Sequence, residues 1–343
     1  MTGPLPPTAT DDPATRAPHF AAWLDRFFAA YYRLRPVNAT FIGVHDFDHL
    51  LPDCSEEGLA EKLDSIYTLL AQLTTLPDEP LTPAQETDRR LAAGFLRIQL
   101  WESESAHFAR GNPSFYTGEA IFGLMSLLLT DFAPLATRIE SLIQRMTAVP
   151  RLLEEGRRNI SAAPLEWTQR ASRECHGAQL FLTEGIAHLL PEIPAQADEL
   201  RVAATVAAQA FADHQRYLDD ELAQRTHDDV ACGDAALALL LEQGHCLPMD
   251  GDGIVAYAEA ELAKAETYLA DHAAEFQATS WQDAVARLAD LHPTPDGYYA
   301  RFTELWQASR ELVAEQQLLT WPDFPLAYQP RPAWSRAAAP YLY

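Results

Sequence analysis

Apolar residues return every three or four positions along most of this chain, a period that admits little except packed helices. Phe20, Trp23, Leu24, Phe27, Phe28, Tyr31 and Tyr32 make one such face between Pro18 and Leu34. Leu59, Leu63, Ile66, Leu70 and Leu73 repeat it from Ser55 to Leu73. Thr82-Pro83-Ala84-Gln85 then opens a long helix to about Phe108. Threonine caps it, proline suits the first helical position, and Gln85 reaches back to complete a capping box.

The stretch Phe115 to Leu129 contains Gly118 and Gly123 and reads as one closely packed helix or two short pieces. Asp131 is the expected cap of the next helix, whose buried face is Leu135, Ile139, Leu142, Ile143 and Met146. Pro150 is expected to kink or restart it. Further helices are expected over about 164–190, 194–225, 233–243, 252–276, 281–291 and 295–319, with 36–53 as a short connection. Nothing repeats at the period of a helical solenoid.

At Trp321 the pattern changes. The closing 321–343 holds five prolines, two tryptophans and three tyrosines without helical period. Sequence of this kind crosses a surface or opens a strand, and it needs partners to bury it. The expected organisation is a disordered lead-in over 1–17 and one helical domain over 18–320. The remainder, 321–343, is then the start of an incomplete, truncated unit. The fold class is all-α, with long antiparallel helices around one extended core and a non-helical aromatic and proline-rich end.

Composition narrows the partners. Lys+Arg number 25 against 49 Asp+Glu, and a formal net charge of -24 repels nucleic acid and anionic membranes. Lys62 and Lys264 are the only lysines, a skew assigned here to genome composition. Cys54, Cys175, Cys232 and Cys246 lack paired spacing, as expected of reduced thiols in a cytoplasmic protein. The first residues lack the basic and apolar regions of a signal peptide, and no apolar run is long enough to span a membrane.

The most suggestive local chemistry is His45-Asp46-Phe47-Asp48-His49. Two histidines four apart share a helical face, and an acid follows the first, as in zinc peptidase motifs. Aspartate, however, is shorter than the glutamate those motifs use, and Gly43 and Pro52 leave no room for a rigid helix. No third ligand stands at a convincing spacing, so no metal site is assigned. His45, Asp46, Asp48 and His49 are instead read as a polar turn held by histidine–carboxylate hydrogen bonds and lining a groove. Asp250-Gly251-Asp252-Gly253 is read as a turn and helix cap rather than a calcium loop. No nucleophile elbow, P-loop or dinucleotide fingerprint occurs.

Several segments resemble the bacterial "domain of unknown function 885" family. They include Pro36-Val37-Asn38-Ala39-Thr40 with Gly43, His45-Asp46-Phe47-Asp48 and Leu51-Pro52-Asp53-Cys54-Ser55. Asn112-Pro113-Ser114-Phe115-Tyr116, Asp131-Phe132-Ala133-Pro134-Leu135 and His292-Pro293-Thr294 continue the likeness, which spans nearly the whole chain. The resemblance implies a relation to zincin-like metallopeptidases whose histidine-rich motif lies in a C-terminal half beyond Tyr343. No catalytic or metal residue carries over. The chain is then the non-catalytic, cleft-forming half of a metal-dependent hydrolase, with zinc expected only on the missing half. Its expected partners are a peptide-like substrate and a separately encoded catalytic half, or a second copy through 321–343. The alternative is a stand-alone helical binding or scaffold protein.

Overall fold

The computed structural model describes residues 17–320 and 326–341. Among them the protein is all-α: α1 (Pro18–Leu34), α2 (Pro36–Ile42), α3 (Glu56–Thr74), α4 (Pro83–Glu104), α5 (Pro113–Leu129), α6 (Leu135–Asn159), α7 (Leu165–Leu180), α8 (Ala197–Asp220), α9 (Asp234–Leu239), α10 (Gly251–His272), α11 (Trp281–Leu288), α12 (Tyr298–Glu315) and α13 (Ala333–Arg336). The chain divides into two units. The first comprises the described residues up to Pro248 together with those from Ala333 onward, and the second lies within Met249–Pro332. The expected single helical domain over 18–320 is thus divided after Pro248.

In the first unit, α1 starts on Pro18 and buries Phe20, Trp23 and Phe27. These pack with Ile66, Leu69 and Leu73 of α3 and with Ala92 and Leu96 of α4. The indole N–H of Trp23 donates to the Leu69 carbonyl at 3.1 Å, so burial of the large ring leaves no orphaned donor. Ser55 caps α3 by accepting from the Gly58 amide, and Thr82 with Gln85 closes the anticipated capping box on α4. The connection 36–53 contains a helix that periodicity does not reveal. Arg35 breaks out of helical geometry at φ -133°, Pro36 restarts the chain, and Gly43 ends α2 in the left-handed region at φ 96°.

A second cluster joins α2, α5, α6, α7 and α8. α5 is one continuous helix. A Cβ at Gly123 would stand 2.6 Å from Leu51 Cδ2, and the missing side chain lets the 51–54 segment lie close. α6 runs through Pro150 without restarting. Asp131 does not cap it. Pro134 occupies the cap position, and the Asp131 carboxylate instead pairs with Arg138 at 2.6 Å.

The closing segment also differs from expectation. Trp321 to Pro325 and the last two residues lie outside the described residues, as does the 1–16 portion of the expected lead-in; Ala17 is buried. Beyond them α13 is helical, and Trp334 and Ala338 are buried in the second cluster. The Trp334 ring meets Phe181 edge-on, with centroids 5.8 Å apart. Phe181 belongs to a π turn, Phe181–Gly185, that follows α7.

In the second unit Asp250 caps α10 by accepting from the Gly253 amide at 2.8 Å, and Ser280 caps α11. Among the described residues its buried apolar side chains are Ala273, Ala278 and Ala284. Neither α10 nor α12 has a buried residue. Among the described residues no helix is long and apolar enough to cross a membrane.

Candidate ligand cavity

A cavity of about 290 Å³ opens in the first unit where several helix ends converge. Arg35 comes from the break between α1 and α2, Lys62 from α3, Glu102 from the end of α4 and Glu119 from α5. The loop Pro52-Asp53-Cys54 and the turn Phe108-Ala109-Arg110 complete the rim. The arrangement follows from local structure: the proline restart at Pro36 throws Arg35 off the α1 face, and α5 aims Glu119 at the same space.

These four groups carry two charges of each sign, yet no salt bridge within 4.0 Å joins any two of them, whereas the two further rim charges have partners: Asp53 pairs with Arg151 at 3.8 Å and Arg110 donates to the Ser103 carbonyl at 3.0 Å. The Arg35 guanidinium lies over the rings of Tyr31 and Phe95, at 5.0 and 5.9 Å from their centroids. Its Nη2 is buried without a hydrogen-bond partner. Glu102 accepts from the side-chain amide of Gln99.

Burial drives all four groups toward neutrality. It lowers Arg35 against the pull of Tyr31, Glu102 and Glu119, and it lowers Lys62, with Arg35 adding to the effect, to about 8. Burial raises both carboxyl groups, restrained by Arg35 and Lys62. The Cys54 thiol is pushed up to about 12, first by burial and then by Glu155 and Glu119, so it is no thiolate nucleophile at neutral pH.

None of His45, Asp46, Asp48 and His49 lines this cavity. They form the turn after α2, in which Asp46 and His49 are exposed and Asp48 is buried. His45 Nδ1 meets Asp48 Oδ2 at 3.0 Å, and the imidazole stacks on Phe132 with centroids 3.7 Å apart. Asp48 also accepts from the Thr40 hydroxyl at 2.6 Å. That hydroxyl accepts in turn from Arg145 at 2.7 Å. Arg145 is fully buried and donates further to the carbonyls of Gly123 and Pro36. The turn thus supplies the counter-charge of a buried arginine. These residues do not fit a metal, and among the described residues no three His, Cys, Asp or Glu side chains group so as to hold one.

The described residues form an all-α protein whose cavity gathers charged side chains of both signs. The chain belongs to the family described as bacterial protein of unknown function (DUF885), whose model matches residues 36–343. Among solved structures it is similar to a Shewanella oneidensis protein described as "a putative lipoprotein of unknown function", at 20% identity and a TM-score of 0.69. The match covers 89% of this chain but 59% of that one, and at this identity it shows the fold alone. No curated protein matches the chain.

Proposed function

We propose that this chain is the substrate-shaping helical wall of a zincin-like, metal-dependent hydrolase of the peptidase type. The reacting groups would be supplied by a further catalytic part, in the same or a separate polypeptide. The observation that carries this reading is the cavity itself. It gathers recognition groups of both signs, while its one thiol is held protonated. The span of the Shewanella match supports it, since that protein has room for a further part. A cytoplasmic setting, with its four cysteines free, belongs to the same reading.

The test is peptide hydrolysis by the chain with added zinc, alone and combined with a family member's remaining portion, alongside elemental analysis. Chelator-sensitive cleavage only in the combination is the expected result. Absence of cleavage in every combination would remove the hydrolase reading. It would favour the second one, a stand-alone binding protein, to which the charge balance of the cavity is equally suited.

A further inference from the structure

We infer that the cavity binds a small molecule carrying both a carboxylate and an ammonium group, a free amino acid or an unblocked short peptide. In this assignment Arg35 and Lys62 take the carboxylate, and Glu102 and Glu119 take the ammonium. The inference names the ligand class for the cleft proposed above; it rests on that cleft being a binding site and not on any catalytic step.

Charge matching is the first argument. Half-buried ions need partners, and these four do not pair with one another. A plain anion would leave two carboxylates facing it, and a plain cation would face two basic groups. Only a ligand of both signs satisfies all four at once.

Arg35 supplies the second argument. Its Nη2 is a buried donor without a partner. The rest of this fork lines the cavity, held over Tyr31 and Phe95 with no side-chain hydrogen bond among the described residues. A carboxylate is the ligand group that such a fork fits best.

Size and lining agree. About 290 Å³ lies at the small end of ligand pockets. Leu34, Leu59, Leu63 and Phe115 give apolar wall for an aliphatic side chain. Lys62, lowered by burial to about 8, remains mostly protonated at pH 7 and is available as a cation there.

The experiment is calorimetric titration of the full chain at pH 7 with L-leucine, Leu-Leu, N-acetyl-Leu-Leu and Leu-Leu amide. An unblocked ligand should bind, and each blocking group should weaken binding by roughly tenfold or more, the scale of one charge-assisted hydrogen bond. Whether leucine or Leu-Leu binds more tightly separates the two sources. Lys62→Met should reduce the penalty for amidation, with Arg35 retaining part of it, and Glu119→Gln should reduce the penalty for acetylation. Should either variant fail to fold, the blocked ligands on the unaltered chain still decide.

No binding by either unblocked ligand, or equal binding by the blocked forms, overturns the inference. The outcome is separable from that of the hydrolase reading. Charge-selective binding without cleavage in any combination would keep the inference and remove the hydrolase. Cleavage whose KM ignores Lys62→Met would do the reverse.

Discussion

The backbone N–H of Cys54 donates to Oε2 of Glu155 at 2.9 Å, tying together residues 101 positions apart. Asn159, one turn further along α6, donates to the Cys54 carbonyl at 2.7 Å. Both backbone groups of a residue on the cavity rim are therefore fixed from a helix that does not line the cavity. Glu155→Ala should lower stability by about 2 kcal/mol, the cost of losing a buried bond to a charged acceptor. Denaturant unfolding checks this, and an unchanged midpoint would dismiss the tie.

Arg145 joins α2, α5 and the turn at 46–49 from its place on α6. Its Nη1 lies 2.6 Å from the Gly123 carbonyl, and removing the side chain orphans several buried acceptors and the Asp48 charge. Arg145→Met should cost about 3–5 kcal/mol. Arg145→Lys should recover little, since one ammonium cannot replace both arms of the fork. A lysine variant with full stability would refute the network.

These two networks mark the limit of what the sequence discloses. Helix starts with a strong local signal were legible: Pro18 at the first helical position and the caps Ser55, Thr82 and Asp250 all stand where their chemistry put them. α2 was missed because seven residues are too few to show a period, although Pro36 and Gly43 bracket it. Pro150 misled because tertiary packing on both sides holds α6 through it. The cavity was not legible at all, since its four charges come from separate elements with no spacing between them. The rarity of lysine was the one available hint, and it was set aside as a compositional accident. The His45 to His49 cluster draws attention because it is local in sequence, and it forms a hydrogen-bonded turn beside Arg145.

His214 on α8 is 2% exposed, and neither ring nitrogen has a hydrogen-bond partner. Burial, aided by Arg157, lowers its pKa to about 3. Between that value and the ordinary 6.5 the unfolded chain binds a proton that the folded chain refuses. Stability should therefore fall as pH drops through this window, by up to about 1.4 kcal/mol per pH unit. The difference between the unaltered chain and His214→Leu, followed by chemical denaturation from pH 7 to 4, isolates the contribution. Parallel curves would show that this histidine does not titrate as described.

A Cβ at Gly185 would collide with the backbone carbonyl oxygen of Trp334. The obstacle is backbone, so relief requires α13 to shift. Gly185→Ala should lower stability by about 1–3 kcal/mol and move Trp334 toward water. Tryptophan emission compared with a Trp334→Phe control reads this directly, and an unchanged spectrum would count against the contact.

Apolar exposure at the chain end, at Leu326 and Tyr328, is joined by more within the second unit. Val255, Tyr257, Leu262 and Tyr268 on α10, with Tyr298, Leu305 and Leu312 on α12, all face solvent. The chain should bind an apolar-surface dye and associate as its concentration rises. Leu262→Glu combined with Leu312→Glu should reduce both effects without loss of helicity. A dye-silent monomer at high concentration would contradict this.

The chain leaves the first unit after Pro248 and rejoins it at Ala333, so the second unit is an insertion between two segments of the first. Were this roughly eighty-residue excursion a loose coil, closing it would cost on the order of 4 kcal/mol in chain entropy. Seating Trp334 returns about 1.5–3 kcal/mol, too little to hold such a loop shut alone. An insertion that is itself folded has fewer conformations to lose on closure, so its folding lowers that penalty. The two units are thus thermodynamically linked through the covalent chain itself, and melting of the insertion should loosen the Trp334 anchor.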